Sequence, residues 1–131
     1  MSSVNPVDSA KAFLDEYTAE FDTRDGLRIS ALYHAPCVTV RGDGLVHCFQ
    51  SRDEIGSFFG RVADGYAKEG MHAGVYKNFD AVPIGGASVL ATVDWEMLRE
   101  DRTVIRQWRQ SYNLIRTSEG WRILCSTIHR P

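Results

Sequence analysis

The last third of the chain alternates apolar and polar residues over three consecutive runs, at 87–98, 104–115 and 121–129. Short turn-forming segments separate the runs. Alternation with a period of two is typical of strands that bury one face, and the turns between them indicate an antiparallel meander. A preceding run from Met71 to Val82, followed by a turn at residues 83–86, predicts a fourth strand of the same sheet.

Three helices are predicted upstream of this meander. After Asp8, which we expect to be an N-cap, the apolar residues recur at the spacing of one helical face: they are Ala10, Phe13, Leu14, Tyr17 and Phe21. A short second helix is predicted around residues 27–33 and should end before Pro36, because the residue preceding a proline is pushed out of the helical region. Ser51 and Glu54 form a capping box ahead of the third helix, which we expect to end at Gly70.

Glycines indicate two further features. Gly42-Asp43-Gly44 lies between apolar runs at 37–41 and 45–49, which predicts a hairpin. Gly56 and Gly60 lie inside the third helix, where each costs about 1 kcal/mol relative to alanine, and this suggests close approach to another backbone. The order ααββαββββ predicts one α+β domain over residues 1–131, a curved antiparallel sheet with helices on one face.

Pairing the predicted strands shows which side chains share a face. A turn centred on residues 101–102 places Trp95 opposite Trp108 on one face and Asp94 opposite Arg109 on the other. One face is then apolar and aromatic and the other polar, whereas a slip of one residue would mix them. Asp94 is therefore interpreted as part of a structural ion pair.

The same reasoning extends to the last strand through a turn at residues 118–119. It gives these predicted pairs: Leu114–Ile123, Tyr112–Cys125, Gln110–Thr127 and Trp108–His129. The side chains expected on the helix-covered face are Trp95, Arg106, Trp108, Gln110, Tyr112, Thr127 and His129. We expect a ligand pocket there, which Tyr17 of the first helix also reaches.

Composition and charge exclude several classes of function. The chain has 131 residues, is 44% hydrophobic and has a formal net charge of −2, so it lacks the basic stripe of a nucleic-acid-binding domain. No apolar run approaches the ~20 residues that a membrane-spanning helix needs. Residues 1–6 have no basic and apolar signal segment. Three cysteines without CxxC spacing predict reduced, buried thiols in a cytoplasmic protein: they are Cys37, Cys48 and Cys125.

The final meander resembles a known superfamily. Residues 112–116 read Tyr-Asn-Leu-Ile-Arg, and after a turn residues 120–123 read Gly-Trp-Arg-Ile. This pattern and the element order are similar to the nuclear transport factor 2-like proteins, which include ketosteroid isomerase, scytalone dehydratase, SnoaL-like polyketide cyclases and the association domain of calmodulin-dependent kinase. The resemblance implies a cone, in which a bent sheet wraps the first helix and leaves a pocket at its open end. It also implies a homodimer, commonly through the outer face of the sheet.

Few residues suggest catalysis in such a pocket. Enolisation or dehydration requires a base and donors aimed at a developing oxyanion. The candidate bases are His129 and His34, with an inward Asp as a further option, and Tyr17 or Tyr112 is the candidate donor. Enzymes of the superfamily often carry acidic or histidine residues on the late strands, where this chain has Cys125 and Thr127. No spacing typical of metal ligands is present, and we expect neither a metal nor a cofactor.

Two hypotheses follow. In the first, the aromatic face binds a small hydrophobic or aromatic ligand without catalysis. In the second, the chain is a cofactor-free isomerase, dehydratase or cyclase that uses a histidine or aspartate base in the pocket. A dimerisation module is a third, weaker reading. The tryptophans could equally close the core, so the sequence leaves these alternatives open.

Overall fold

The computed structural model describes residues 5–129. Most of residues 1–6, which were considered above as a signal segment, lie outside the described residues. The helices are α1 (Pro6–Asp22), α2 (Gly26–Ser30) and α3 (Arg52–Lys68). The strands are β1 (Tyr33–Val40), β2 (Val46–Phe49), β3 (Ala73–Pro83), β4 (Ser88–Leu98), β5 (Val104–Thr117) and β6 (Gly120–Ile128). The predicted order ααββαββββ and the α+β class are confirmed.

The strands form one curved sheet in the order β2-β1-β6-β5-β4-β3. The predicted hairpin and the four-stranded meander are both present, and β6 joins them by pairing with β1 in parallel. This parallel pair was not predicted, because the alternation along a strand does not reveal its partner on the second edge.

Helix α1 begins earlier than predicted. Asn5 is its N-cap and accepts a hydrogen bond from the backbone N–H of Val7 at 2.8 Å, so the expectation that Asp8 caps the helix is wrong. Pro6 occupies the first helical position, where its missing N–H costs nothing. Asp8 instead lies in the first turn, where its charge complements the helix dipole. The predicted apolar stripe is confirmed as the buried face of the helix.

Helix α2 ends before the predicted position. Its last residue is Ser30, and Pro36 lies within β1 rather than ending the helix. Tyr33 belongs to β1 and pairs with Ile123 of β6, whose backbone N–H donates to the Leu32 carbonyl at 2.9 Å. This pairing holds the chain extended three residues before the proline.

Helix α3 packs against α2 through glycines. A Cβ added to Gly26 would lie 2.1 Å from the Gly56 carbonyl oxygen and 2.8 Å from the Gly60 nitrogen. The close approach predicted from Gly56 and Gly60 is therefore confirmed. The Ser51 hydroxyl accepts from the Glu54 N–H at 3.2 Å, as predicted, while the Glu54 carboxylate accepts from the Gln50 N–H at 3.0 Å.

The predicted register of β4 and β5 is confirmed. Trp95 pairs with Trp108, and Asp94 pairs with Arg109, whose guanidinium lies 2.9 Å from the carboxylate. Side chains of these strands therefore divide into an apolar face against the helices and a polar outer face.

The register of β5 and β6 is confirmed at one end only. Leu114 pairs with Ile123 as predicted, but the next pair is Asn113 with Cys125, so Leu124 is an extra residue in a β-bulge. Successive side chains of a strand project to opposite faces of the sheet. The extra residue in the bulge therefore exchanges the inward and outward positions in the rest of β6. The predicted pairs Tyr112–Cys125, Gln110–Thr127 and Trp108–His129 are wrong. The observed pairs are Tyr112–Ser126 and Gln110–Ile128.

The prediction that all three cysteines are buried is also wrong. Cys37 is buried in the core, Cys125 is half-buried, and Cys48 is exposed. All three are free thiols. Cys48 and Cys125 pair with Val38 from opposite sides, which separates them by two strand spacings, about 9.6 Å. A disulfide cannot span that distance.

Candidate functional site

A cavity of about 130 Å³ lies between the helices and the concave face of the sheet. Helices α1 and α3 contribute one side of its lining, and strands β1, β3, β4, β5 and β6 contribute the other. Its aromatic wall, as we call this set, comprises Phe21, Phe58, Phe59, Tyr66, Trp95 and Trp108. The lining is therefore mainly apolar, as is usual for sites that bind small molecules.

The alternation of side chains along the strands and the periodicity of helix α1 bring these rings together. Trp95 and Trp108 face the cavity because they are paired on the inward parity of β4 and β5. Phe21 lies one helical turn beyond Tyr17 on the buried stripe of α1. Phe59 stacks on Tyr33, with ring centroids 4.6 Å apart, and thereby fixes α3 against β1.

Most polar groups of the aromatic lining bond to one another. The Trp95 indole N–H donates to the Tyr112 hydroxyl at 2.8 Å, and the Trp108 indole N–H donates to Gln110 Oε1 at 2.9 Å. The hydroxyls of Tyr17 and Tyr33 are hydrogen-bonded to each other at 2.7 Å. Burial raises the pKa of Tyr17, Tyr33 and Tyr112 well above the ordinary value of a phenol, so these groups stay protonated near neutral pH.

Two hydroxyls of the lining lack such partners. Thr39 of β1 and Ser126 of β6 are Cα partners in the parallel pair, and they are 9% and 3% exposed. Thr39 Oγ1 is buried and has no hydrogen-bond partner among the described residues. We call these two residues the hydroxyl pair.

Charged residues of the lining mark the point where the cavity meets solvent. Arg41 and Asp22 are exposed, and Arg41 forms an ion pair with Asp43 at 2.9 Å. Partial desolvation of the carboxyl raises the pKa of Asp22 above its usual value, although the hydrogen bond that it accepts from the Gly74 N–H at 3.2 Å and the nearby Arg24 act in the opposite direction. Asp22 is therefore the acidic group at the cavity whose protonation is most affected by its surroundings.

The structure brings most of the predicted pocket residues to this cavity. Five of the predicted side chains line it, namely Tyr17, Trp95, Trp108, Gln110 and Tyr112. Arg106 does not: it is an exposed residue whose guanidinium forms an ion pair with Glu69 at 2.8 Å.

Thr127 and His129 lie on the other face of the sheet. The bulge at Leu124 turns Thr127 outward, where it pairs with Ser111. His129 Nε2 is hydrogen-bonded to Ser111 Oγ at 2.8 Å, and its backbone N–H donates to the Arg109 carbonyl at 2.9 Å. The predicted placement of His129 beside Trp108 is wrong, and the histidine does not reach the cavity.

His34 also lies away from the cavity lining. It was named as a candidate base, but it is the second residue of β1, where its Nδ1 lies 2.8 Å from the Pro36 carbonyl oxygen. The local bond occupies this ring nitrogen, so neither histidine proposed as a base lies in the cavity.

Sequence reasoning missed the hydroxyl pair and Asp22. Ser126 was assigned to the outer face because the bulge could not be foreseen. Thr39 shares the parity of Cys37 in β1, which places it inward, but its position beside the cavity depends on the unpredicted parallel pairing with β6. Asp22 follows Phe21 of the helical stripe, and this adjacency was the available indication that it lies near the cavity.

Neither a metal-binding cluster nor a membrane-spanning helix is found in the described part of the chain. Among residues 5–129, no three His, Cys, Asp or Glu side chains are grouped so that they could hold a metal ion. None of the helices in that range is long and apolar enough to cross a membrane.

Comparison with known proteins identifies the fold. A family model described as NTF2-like protein (DUF6841) matches residues 8–131. No protein of the curated set matches the chain. The structural matches include an NTF2-like protein with a cystatin-like fold from Novosphingobium aromaticivorans, with a TM-score of 0.75 and 16% identity over 94% of this chain and 80% of that one.

Two further solved structures are similar over nearly the whole chain. Aln2 from a Streptomyces species has a TM-score of 0.77 and 14% identity, covering 98% of this chain and 94% of that one. A domain of unknown function with a cystatin-like fold from Nostoc punctiforme has a TM-score of 0.74 and 19% identity, covering 98% of this chain and 80% of that one. At these identities the matches establish the fold alone, and function must be argued from the cavity.

Proposed function

We propose that this chain, which belongs to the family of NTF2-like proteins (DUF6841) whose model spans residues 8–131, binds a small hydrophobic or aromatic ligand in the cavity between sheet and helices. The observation that carries the proposal is the combination of an unfilled volume of about 130 Å³ with a lining of aromatic and apolar side chains. Side chains that only completed a core would pack without such a void.

The volume suggests the size of the ligand. An apolar cavity of about 150 Å³ in another protein accommodates benzene, and the cavity here, at about 130 Å³, is of similar size. A single ring with short substituents suits the enclosed part of the cavity better than a fused polycyclic compound. Larger ligands would have to extend past the exposed rim at Asp22 and Arg41.

Titration with ring-sized compounds tests this proposal. Trp95 and Trp108 line the cavity, so toluene or indole-sized ligands should change the intrinsic fluorescence and raise the thermal midpoint of the wild type. Val62→Phe should fill part of the cavity and weaken binding at least tenfold. Val82→Phe, at a residue 52% exposed on β3, is the matched control and should bind as the wild type does. Binding unaffected by Val62→Phe would contradict the proposal.

The second candidate function is a cofactor-free isomerase, dehydratase or cyclase, and Asp22 is the observation that favours it. Its carboxyl lines the cavity and its raised pKa brings it nearer to the range in which a general base works well. The buried, protonated phenols of Tyr17 and Tyr112 supply candidate donors within the same cavity. This reading uses an aspartate base and not His129 or His34, which lie elsewhere.

Turnover assays separate the two candidates. A ligand found by the titration is incubated with wild type, Asp22→Asn and, as a control for an acidic residue outside the lining, Asp64→Asn, and product is followed by mass spectrometry. Conversion that falls at least a hundredfold in Asp22→Asn alone would establish the enzyme. If the wild type and both variants bind the ligand without converting it, the protein is a binding protein and not an enzyme for that ligand.

We further propose that two copies associate through the outer face of the sheet. Described helices cover only the concave face, and the centre of the outer face carries uncharged side chains, in keeping with the depletion of charged residues at the cores of interfaces. They are Thr92, Ser111, Asn113, Cys125 and Thr127. Leu90, at 40% exposure, adds an apolar contact at its edge.

A cytoplasmic location is proposed from the thiols. The three cysteines are free, and Cys48 is exposed, whereas oxidising compartments favour disulfides. Fractionation of cells that express a tagged chain tests this, and recovery in an oxidising compartment would contradict it.

A further inference from the structure

The hydroxyl pair, Thr39 and Ser126, is the part of the cavity that the aromatic lining leaves unexplained. The two residues are Cα partners on neighbouring strands and both line the cavity, so their side chains project side by side. Adjacent strands lie about 4.8 Å apart. An atom between two such side chains can therefore be within hydrogen-bond reach of both.

Neither side-chain hydroxyl is hydrogen-bonded to another of residues 5–129. Thr39 Oγ1 is fully enclosed and has no hydrogen-bond partner in the described part of the chain. Ser126, at 3% exposure, forms no side-chain hydrogen bond among residues 5–129. Nearly all buried polar groups in native proteins are hydrogen-bonded, and leaving one unbonded costs about 1–3 kcal/mol. In the empty protein the Thr39 hydroxyl is closed off and Ser126 lies at the cavity wall, so a rotation of Thr39 about χ1 would turn both hydroxyls toward a group that enters the cavity.

The chemistry of the surroundings favours an uncharged acceptor as that group. Each hydroxyl can donate one proton, and a carbonyl oxygen has two lone pairs to accept both. A carboxylate or phosphate would need a nearby cation, yet Arg41, the arginine of the lining, is exposed and paired with Asp43. The polar atom of the ligand is therefore expected to be uncharged.

We propose that the hydroxyl pair binds the carbonyl oxygen of a ring-sized, otherwise apolar ligand, such as an aromatic ketone or aldehyde. This inference rests on the proposed binding function and names the ligand class of the same cavity. The ring lies against the aromatic wall, and the oxygen lies at the β1–β6 side, next to Tyr112, which is the partner of Ser126 on β5. Thr39 and Ser126 are thus specificity-determining residues.

A matched pair of ligands tests the inference. Acetophenone and ethylbenzene have nearly the same shape and differ in the carbonyl oxygen, so isothermal titration of both reports on the oxygen alone. Wild type should bind acetophenone about tenfold or more tightly than ethylbenzene, as expected for one or two hydrogen bonds. Ser126→Ala and Thr39→Val should each weaken acetophenone binding about tenfold and leave ethylbenzene binding unchanged.

The controls come from the outer face of the same sheet. Ser111→Ala and Thr127→Val remove the same atoms from β5 and β6, and both should bind acetophenone as the wild type does. Circular dichroism confirms that each variant is folded.

The outcomes separate the inference from the proposed function. Equal affinity of wild type for the two ligands, or equal losses in the variants and their controls, would overturn the role of the hydroxyl pair while the binding function stands. Failure of both ligands to bind, together with failure of toluene and indole, would overturn the binding function and the inference with it.

Discussion

Thr39 is a residue at which stability and binding should oppose each other. Its buried hydroxyl lost its water on folding and gained no hydrogen bond in return from the described residues. Replacing such a group with an apolar one of the same shape removes the cost of desolvation. The residue is therefore expected to reduce the stability of the empty protein.

The substitution Thr39→Val should raise the free energy of unfolding by about 1 kcal/mol, because valine has the same shape without the unbonded hydroxyl. Urea unfolding of the ligand-free protein measures this. Thr127→Val, at a half-buried residue of the outer face, is the control and should change stability less. Lower stability of Thr39→Val than of wild type would show that the hydroxyl is satisfied in solution.

Asp22 should make stability depend on pH. Its pKa in the folded protein is raised above the ordinary 3.8, so the folded state takes up a proton at a higher pH than the unfolded chain does. Stability associated with this group is therefore gained as the pH falls from above the raised pKa to below 3.8. Above the raised value, the charged carboxylate destabilises the fold.

In Asp22→Asn this dependence should disappear. The amide oxygen can still accept from the Gly74 N–H, but it has no charge to desolvate, so the variant should have a higher thermal midpoint than wild type at about pH 7. The difference should shrink as the pH is lowered toward 3.8. Thermal unfolding from about pH 3.5 to about pH 7 measures it, and a constant difference over that range would contradict the assigned cause.

Among the elements, β6 shows where sequence reasoning reaches its limit. The β4–β5 register could be predicted, because shifting Trp95 and Trp108 by one residue would expose both rings and bury Asp94 with Arg109. The β5–β6 register could not, since Ile123, Leu124 and Cys125 are all apolar and either parity buries apolar atoms.

The same contrast accounts for the candidate site. Apart from Arg106, the side chains on β4 and β5 were assigned to the cavity correctly, because their parity is determined by strong apolar and charged residues. Those after the bulge were assigned to the wrong face, so Ser126 was missed and His129 was included. The pairing of β1 with β6 could not be predicted from local sequence, because the alternation of apolar and polar residues along β1 does not show that Thr39 lies beside β6.

The packing of helix α2 against helix α3 requires a close approach of their backbones at Gly26 and Gly56. An added Cβ at Gly26 would lie 2.1 Å from the Gly56 carbonyl oxygen, and backbone atoms cannot move aside as a flexible side chain can. Gly26→Ala should therefore lower the free energy of unfolding by about 3 kcal/mol or more, the upper part of the range for overpacking.

A second glycine of α3 provides the control. Gly65 has nothing within 4 Å of the position of an added Cβ, so Gly65→Ala should raise stability by about 1 kcal/mol through helix propensity. Chemical unfolding of the two variants compares the same substitution with opposite expected signs. A Gly26→Ala protein as stable as wild type would show that the helices separate at little cost.

At the scale of the whole molecule, the outer face of the sheet is the proposed contact between two copies. Thr127→Arg would place a charge at its centre, and burying an unpaired charge is strongly unfavourable. Sedimentation velocity should show a dimer for wild type and a monomer for Thr127→Arg. Ser118→Arg, in the exposed β5–β6 turn, should remain dimeric. A monomeric wild type would contradict the proposal.

The position of β6 in the sheet affects how the protein is made. Strand β6 is synthesised after all the other strands, yet it lies between β1 and β5 and is the strand that joins the hairpin to the meander. On the ribosome, the edges of β1 and β5 therefore stay unpaired until β6 has emerged. Such edges readily pair with other chains, so the nascent chain exposes two edges that can aggregate until β6 is available to cover them.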